Sequence, residues 1–327
     1  MSPQTMGLIA HHPGGPEVMA WEPLPLAAPG PGEVRLRHTA IGVNFIDIYF
    51  RSGLYPWPEA TLIPGAEAAG VVDVVGAGVT GLHPGDRVAY VMRYGAYRQA
   101  RVVPADRLVK LPADISDTLG ASVMLKGLTA QYLVTASYVV KPGDTVLVHA
   151  AAGGVGLLLG QWLAAIGARA IGTAGSDEKA ALARAHGYDA VINYRTTDFV
   201  AAVQDLTHGQ KCAAVYDSVG ADTWRGSLKC LAPLGMFVNF GQSSGMIEGF
   251  SLADLAAGGS LSANRPVLFD YIAKRDDLER RTSALFAMLT SGAIRCDVQN
   301  VHPLQAAAQV HAAMALRQTT GSTVLIP

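Results

Sequence analysis

Thr145-Val-Leu-Val-His-Ala-Ala-Ala-Gly-Gly-Val-Gly-Leu-Leu-Leu-Gly-Gln-Trp-Leu-Ala-Ala-Ile-Gly167 is the stretch on which the fold turns. Thr145 to Val148 is a short apolar run, long enough for a buried strand. Small residues follow, and from Val155 the apolar residues recur at helical spacing. Strand, glycine turn and helix in this order make a dinucleotide-binding fingerprint. Gly153 permits the sharp turn, Gly154 clears the way for a pyrophosphate, and Gly156 lets the helix approach its strand. The helix N–H groups and its positive end then face the phosphates. Two plainer readings compete. In a membrane span, Gly156 and Gly160 would mark a dimer face. Five small residues in a row at 150–154 would break that helix, and His149 and Gln161 would lie inside it. A strand–helix unit that binds nothing explains one glycine by packing, but hardly three.

The remaining bounds are broad. The 327 residues suffice for two domains; half are hydrophobic, so two cores can be filled. A net charge of −1 offers no footprint for nucleic acid or an anionic membrane. Residues 1–7 lack the basic and apolar regions of a secretion signal. Cys212, Cys230 and Cys296 are far apart, form no CxxC pair and are odd in number. They read as core residues of a cytoplasmic protein rather than as a disulfide framework or a zinc lobe.

Residues 1–125 hold short strands between turns: 33–39, 68–76, a third after Pro84-Gly-Asp86, and 95–103. This suggests a partly open β-barrel or sandwich. Asn44 to Arg51 reads as a helical turn. Asn44, Tyr49 and Tyr55 carry polar tips on this segment, either as a cap and core edge or as groups facing a substrate. Glu67 lies among small apolar residues and needs a partner, Arg265 or another arginine.

Residues 126–265 alternate strand and helix. Strands are expected at 169–173, 190–194, 213–219, 236–240 and 260–264 besides the first, with helices between, including 177–186. Six such strands make a doubly wound parallel sheet, with a ligand across their carboxyl ends. Those ends are 151–156, 173–176, Tyr194, 218–220 and 240–243. An NAD site wants an acid about 20 residues past the glycines. Here Asp177 and Glu178 instead read as first-turn helix residues after a Ser176 N-cap. Gly175, Ser176, Lys179 and Tyr194 form a pocket suited to a 2′-phosphate, so NADPH is expected over NADH. Asp177 turned inward would reverse this, since a carboxylate repels phosphate.

In residues 266–327, Pro266 is expected to open a helix reaching Arg275, followed by a helix 277–290, a strand 294–301, a helix 304–316 and a strand 322–326. This segment is expected to return to the first domain. Arg317 is either a surface residue or a phosphate contact.

The fingerprint, Asn44-Phe-Ile-Asp47, Arg51-Ser-Gly-Leu-Tyr55, Leu125-Lys-Gly-Leu-Thr129, Ile192-Asn-Tyr-Arg195, Val215-Tyr-Asp-Ser-Val-Gly220, Phe240-Gly-Gln-Ser-Ser-Gly245 and Gly321-Ser-Thr-Val-Leu-Ile-Pro327 carry a resemblance. The chain resembles the zinc-free quinone oxidoreductases, the NADPH:quinone reductase and ζ-crystallin group, of the medium-chain dehydrogenase/reductase superfamily. The resemblance implies a GroES-like β-barrel catalytic domain from residues 1–125 and 266–327, and a Rossmann domain from 126–265. It implies that Asn44, Lys126 and Thr129 border the nicotinamide, that Gly153, Gly154 and Val155 receive the pyrophosphate, and that Ser218, Phe240, Gly241 and Ser243 line ribose and nicotinamide. Gly175, Ser176, Lys179, Tyr194 and Arg317 would hold the adenosine phosphate, and Tyr49 and Tyr55 would face the substrate. The zinc alcohol dehydrogenases of that superfamily place a cysteine where Asn44 stands and a histidine where Ala66 stands. Alanine cannot ligate, so no metal is expected. A quinone is the acceptor that least needs a Lewis acid.

Two rivals stand beside quinone reduction. An enone or alkenal double-bond reductase would share the hydride donor but must protonate carbon, from Tyr49 or Tyr55. A weakly catalytic NADPH-bound structural or RNA-binding protein is the other, and near-neutral charge speaks against RNA. A homodimer through the edge strand 260–264 is expected.

Overall fold

The structure, a computed structural model, describes residues 3–327, with Gln299 by its backbone alone. The chain divides into two units. One comprises residues 1–125, 272–286 and 296–327; the other comprises 126–271 and 287–295.

In the first unit, Gln4–Ala10 and Met19–Pro25 pair as an antiparallel ribbon. A larger sheet runs in the order Val298–Pro303, Ser322–Ile326, Glu33–Gly42, Glu67–Val75, Arg87–Val91, Val109–Lys110, with Ala100–Pro104 also paired to Glu33–Gly42. Its pairs are antiparallel apart from Val298–Pro303 with Ser322–Ile326. Val34 and Leu36 alternate inward along their strand, and together with Ile41, beyond a bulge between His38 and Ala40, they pack with Tyr90, Tyr97, Val310 and Leu325. The helix Phe45–Arg51 follows the Glu33–Gly42 strand with Asn44 as its N-cap.

In the second unit, six strands are all parallel. Their spatial order is Ala190–Asn193, Arg169–Ala174, Thr145–Val148, Cys212–Asp217, Leu231–Asn239, Ser262–Asn264. Counted in chain order this is 3-2-1-4-5-6, the doubly wound arrangement whose crevice opens where the order reverses. Leu147, Ile171, Val215 and Phe237 fill one face of the sheet with Trp224 and Leu228.

Four expected elements end elsewhere, the first two for a tertiary reason. No single helix joins Pro266 to Arg275; a short one spans Leu268–Tyr271 and a long one Arg275–Thr290. The break falls where the carbonyls of Ile272 and Ala273 turn out to accept from Arg107 Nη1, both at 3.1 Å. The strand expected from Ile294 starts at Val298. Ile294 N instead caps the preceding helix by donating to Met288 O (3.1 Å), and Arg295 exchanges two backbone bonds with the Gln161 amide, each 2.9 Å. The helix expected over 177–186 closes at Arg184, and the helix over 304–316 begins as a 3-10 turn, Leu304–Ala306.

Candidate active site

In the second unit the fingerprint becomes a strand, a turn and the helix Gly154–Ile166, with Gly153 as N-cap. Ala150 enters the turn with φ of 54°, a left-handed conformation that costs a non-glycine residue energy and commonly marks functional loops. The first intrahelical bond is Leu157 N to Gly153 O at 2.9 Å, which leaves the first-turn N–H groups of Gly154, Val155 and Gly156 to another acceptor. A Cβ on Gly156 would press on the carbonyls of Ala150 and Ala151, the latter at 2.6 Å. The loop is thus folded tightly under the helix and presents bare backbone outward, a cradle that fits a pyrophosphate.

The corner at the second strand end assembles as one group. Tyr194 lies over Gly175, so that a Cβ there would sit 2.7 Å from the tyrosine hydroxyl. Ser176 caps the helix Asp177–Arg184 by accepting from Lys179 N (3.3 Å). The Ser176 hydroxyl in turn donates to Glu178, holding that carboxyl below the ordinary range. Asp177 is engaged as well: Asn193 Nδ2 donates to its Oδ1 at 2.9 Å. Both acids beside the corner are therefore tied to neighbours.

At the fourth and fifth strand ends, Phe240 N donates to Asp217 O (2.8 Å) and Ser243 N to Ser218 O (3.2 Å). A Cβ on Gly241 would meet Ser218 O at 2.7 Å, so glycine is what lets the two loops touch. Ser218, Phe240, Gly241 and Ser243 are brought together in this way.

A buried network behind these loops was not foreseen. His149 Nδ1 lies 3.0 Å from Thr173 Oγ1, and its Nε2 lies 3.0 Å from Ser227 Oγ. Ser227 donates to Asp217 Oδ2 at 3.0 Å, and Thr223 Oγ1 donates there at 2.7 Å. Asp217 Oδ1 accepts from Val219 N (2.7 Å) and Gly220 N (2.9 Å). With the Ser227 proton on Asp217, His149 must donate from Nε2 and accept at Nδ1 from Thr173. The imidazole is neutral, because burial pushes its pKa below 6.5 against the pull of Asp217. The network ties three strand ends to the loop 218–220. A histidine and an aspartate inside apolar runs were the available signal, since such groups need partners.

Lys126 and Thr129 are buried one turn apart on the helix Asp117–Tyr132. Both belong to the second unit.

Asn44, Tyr49 and Tyr55 belong to the first unit. Asn44 Nδ2 donates to Glu67 Oε1 at 2.8 Å, and Leu125 N donates to Glu67 Oε2 at 2.7 Å. Asn44 N donates to Asp47 Oδ2 at 2.8 Å, and that oxygen also accepts from Tyr97 OH at 3.2 Å. Tyr97 OH then accepts from His311 Nε2 (2.8 Å), whose Nδ1 accepts from Arg51 Nη1 (3.3 Å). Burial holds His311 neutral, at about 3. A directed chain of bonds from Arg51 to Asp47 therefore fixes the backbone of Asn44. Tyr49 and Tyr55 meet edge to face at 5.3 Å, and Phe50 packs on Tyr55 (5.4 Å) and Tyr94 (5.8 Å), forming a half-buried aromatic shelf. Arg317 also lies in the first unit, with φ of 57° after the helix Ala307–Ala315. Arg265, named as a partner for Glu67, donates to the carbonyls of Asn239 (3.2 Å) and Pro266 (3.5 Å). Among the described residues no helix is long and apolar enough to cross a membrane.

Comparison with known proteins places these features. Residues 30–113 match the alcohol dehydrogenase GroES-like domain, and residues 154–266 match the zinc-binding dehydrogenase family. The chain is 48% identical over 315 residues to a quinone oxidoreductase of Pseudomonas aeruginosa, covering 96% of this chain and 97% of that one. It is 44% identical over 330 residues to a 2-haloacrylate reductase of Burkholderia sp., covering 98% and 99%. The crystal structure of Escherichia coli quinone oxidoreductase complexed with NADPH superimposes with a TM-score of 0.95 at 44% identity, covering 98% of this chain and 100% of that one. The GroES-like and Rossmann domains and the relatives agree: this chain belongs to the quinone oxidoreductase family of the medium-chain dehydrogenase/reductase superfamily.

Proposed function

We propose that the protein is an NADPH-dependent quinone reductase that works without a metal ion. The observation that carries this reading is the buried bond from the Asn44 amide to Glu67. An amide stands where the zinc enzymes of the superfamily need a thiolate, and the carboxylate beside it is already engaged by N–H donors. With no Lewis acid at this position, the acceptor must be one that takes electrons readily, and quinones do. The names of the Pseudomonas and Escherichia relatives, and the NADPH of the latter, support the same reading.

When bound, NADPH supplies the reducing equivalents. The amides of Gly153, Gly154 and Val155 would receive the pyrophosphate, and Gly175, Ser176, Lys179, Tyr194 and Arg317 would hold the adenosine phosphate. Ser218, Phe240, Gly241 and Ser243 would line the ribose and nicotinamide, which Asn44, Lys126 and Thr129 would border. Tyr49 and Tyr55 offer a flat aromatic ring an edge-to-face surface and keep water from it. The protein is cytoplasmic: Cys212 and Cys230 are buried thiols, each pushed up to about 12 by burial, which suits a reducing compartment. It is a homodimer joined along Ser262–Asn264, the strand that edges the six-stranded sheet.

The test compares NADPH consumption with 1,4-benzoquinone and with cyclohexenone. Much faster turnover of the quinone supports the proposal. Equal or faster enone turnover replaces it with double-bond reduction, the chemistry suggested by the name of the Burkholderia relative.

A further inference from the structure

The corner expected to receive the 2′-phosphate carries a liability. Asp177 follows directly on Ser176, at the place where a carboxylate would repel that phosphate or bind a free ribose diol. Asp177 is exposed, so burial does not fix its side chain. What engages it is Asn193 Nδ2, at 2.9 Å from Oδ1. The orientation of the Asn193 amide is itself determined. Its Oδ1 accepts from Arg195 N (3.1 Å), which leaves only the NH2 side for Asp177. Its backbone carbonyl accepts from Thr196 N (3.2 Å) and Thr197 N (3.1 Å), closing the turn that places Tyr194 over Gly175. The other nearby acid, Glu178, is held by Ser176.

We infer that Asn193 is a specificity-determining residue: by holding the Asp177 carboxylate on the end of the third strand, it keeps negative charge from the phosphate site and sets the preference for NADPH over NADH. This rests on the NADPH reading given above. Asn193 touches neither coenzyme; it acts through Asp177.

The experiment is a calorimetric titration of the full-length protein with NADPH and with NADH, which reads binding without turnover. Wild type binds NADPH more tightly. In Asn193→Ala the NADPH:NADH affinity ratio falls about three- to tenfold at low salt, through weaker NADPH binding. The loss shrinks in 0.5 M KCl, because a repulsion between exposed charges is screened. In Asn193→Ala/Asp177→Asn the ratio returns to within about twofold of wild type, since no charge is left to repel. The double variant separates charge from a loosened turn: if it binds NADPH as poorly as Asn193→Ala alone, the role of Asn193 is structural and the inference fails. An unchanged ratio in Asn193→Ala, with wild type preferring NADPH, also overturns it and leaves the NADPH reading intact. Equal wild-type affinities would overturn both.

Discussion

The Asn44 side-chain amide donates to Glu67 Oε1 at 2.8 Å, and neither side chain is more than 4% exposed. Removing a donor from a buried carboxylate leaves part of its desolvation uncompensated. Asn44→Ala should cost about 1–3 kcal/mol of stability. Asn44→Asp sets a second carboxylate against the first and should cost about 3 kcal/mol or more at neutral pH. Urea unfolding at neutral pH checks both variants; a fully stable Asn44→Asp would contradict the geometry.

His38, His149 and His311 are buried and neutral. Burial lowers His38 and His311 to about 3, with the positive charges of Arg101 and Arg98 adding to the shift of the first and Arg51 to that of the second. His149 is lowered by burial too. Unfolded, all three titrate near 6.5. Between that value and the native one, the unfolded chain binds protons that the folded chain refuses. Their contribution is complete above about pH 6.5 and is lost as pH falls below it; for His38 and His311 the loss runs down towards 3, by about 1.4 kcal/mol per pH unit for each of the two. Unfolding free energies at pH 7.5, 6 and 5 should therefore decline well above the range where carboxylates titrate. His311→Gln keeps a donor near Tyr97 and should flatten the slope by one proton.

Ser227 joins His149 to Asp217, and Asp217 holds the amides of Val219 and Gly220. Ser227→Ala removes an acceptor from the imidazole and a donor from the carboxylate. It should lower stability by about 1–3 kcal/mol. It should also weaken NADPH binding, because the loop 218–220 loses its anchor. Equilibrium binding beside thermal melting distinguishes a loosened loop from a merely less stable protein.

How far the sequence could be read depended on whether a residue's partner is near it in the chain. The glycine turn at 153–156, the Ser176 cap and the strand-end positions of Ser218 and Phe240 are local signals, and all lie where their spacing placed them. The breaks in the C-terminal helices were not legible, because Arg107, 165 residues before Ile272, draws away the carbonyls that would have continued the helix. The strand expected at Ile294 fails for a similar reason, since Gln161 engages Arg295 from 134 residues away. The network of His149 spans 78 residues to Ser227; the chain announced only that His149 needed partners.

Gly175 is pressed by the Tyr194 hydroxyl. Gly175→Ala must displace the tyrosine ring, and Lys179→Ala removes a cation from the same corner. Each should weaken NADPH by about tenfold or more while leaving NADH within about threefold, the charge-assisted contacts being made by the phosphate alone. Coenzyme fluorescence titration checks this; parallel losses for both coenzymes would place the 2′-phosphate elsewhere.

With Asn44 rather than a metal ligand beside Glu67, quinone reduction should need no zinc. The most direct test is the rate of NADPH oxidation by 1,4-benzoquinone, measured on protein dialysed against a strong chelator and assayed for residual zinc. The rate should be unchanged at negligible zinc content, with no stimulation when zinc is returned. Activity lost with the metal and recovered with it would show that a metal ion takes part.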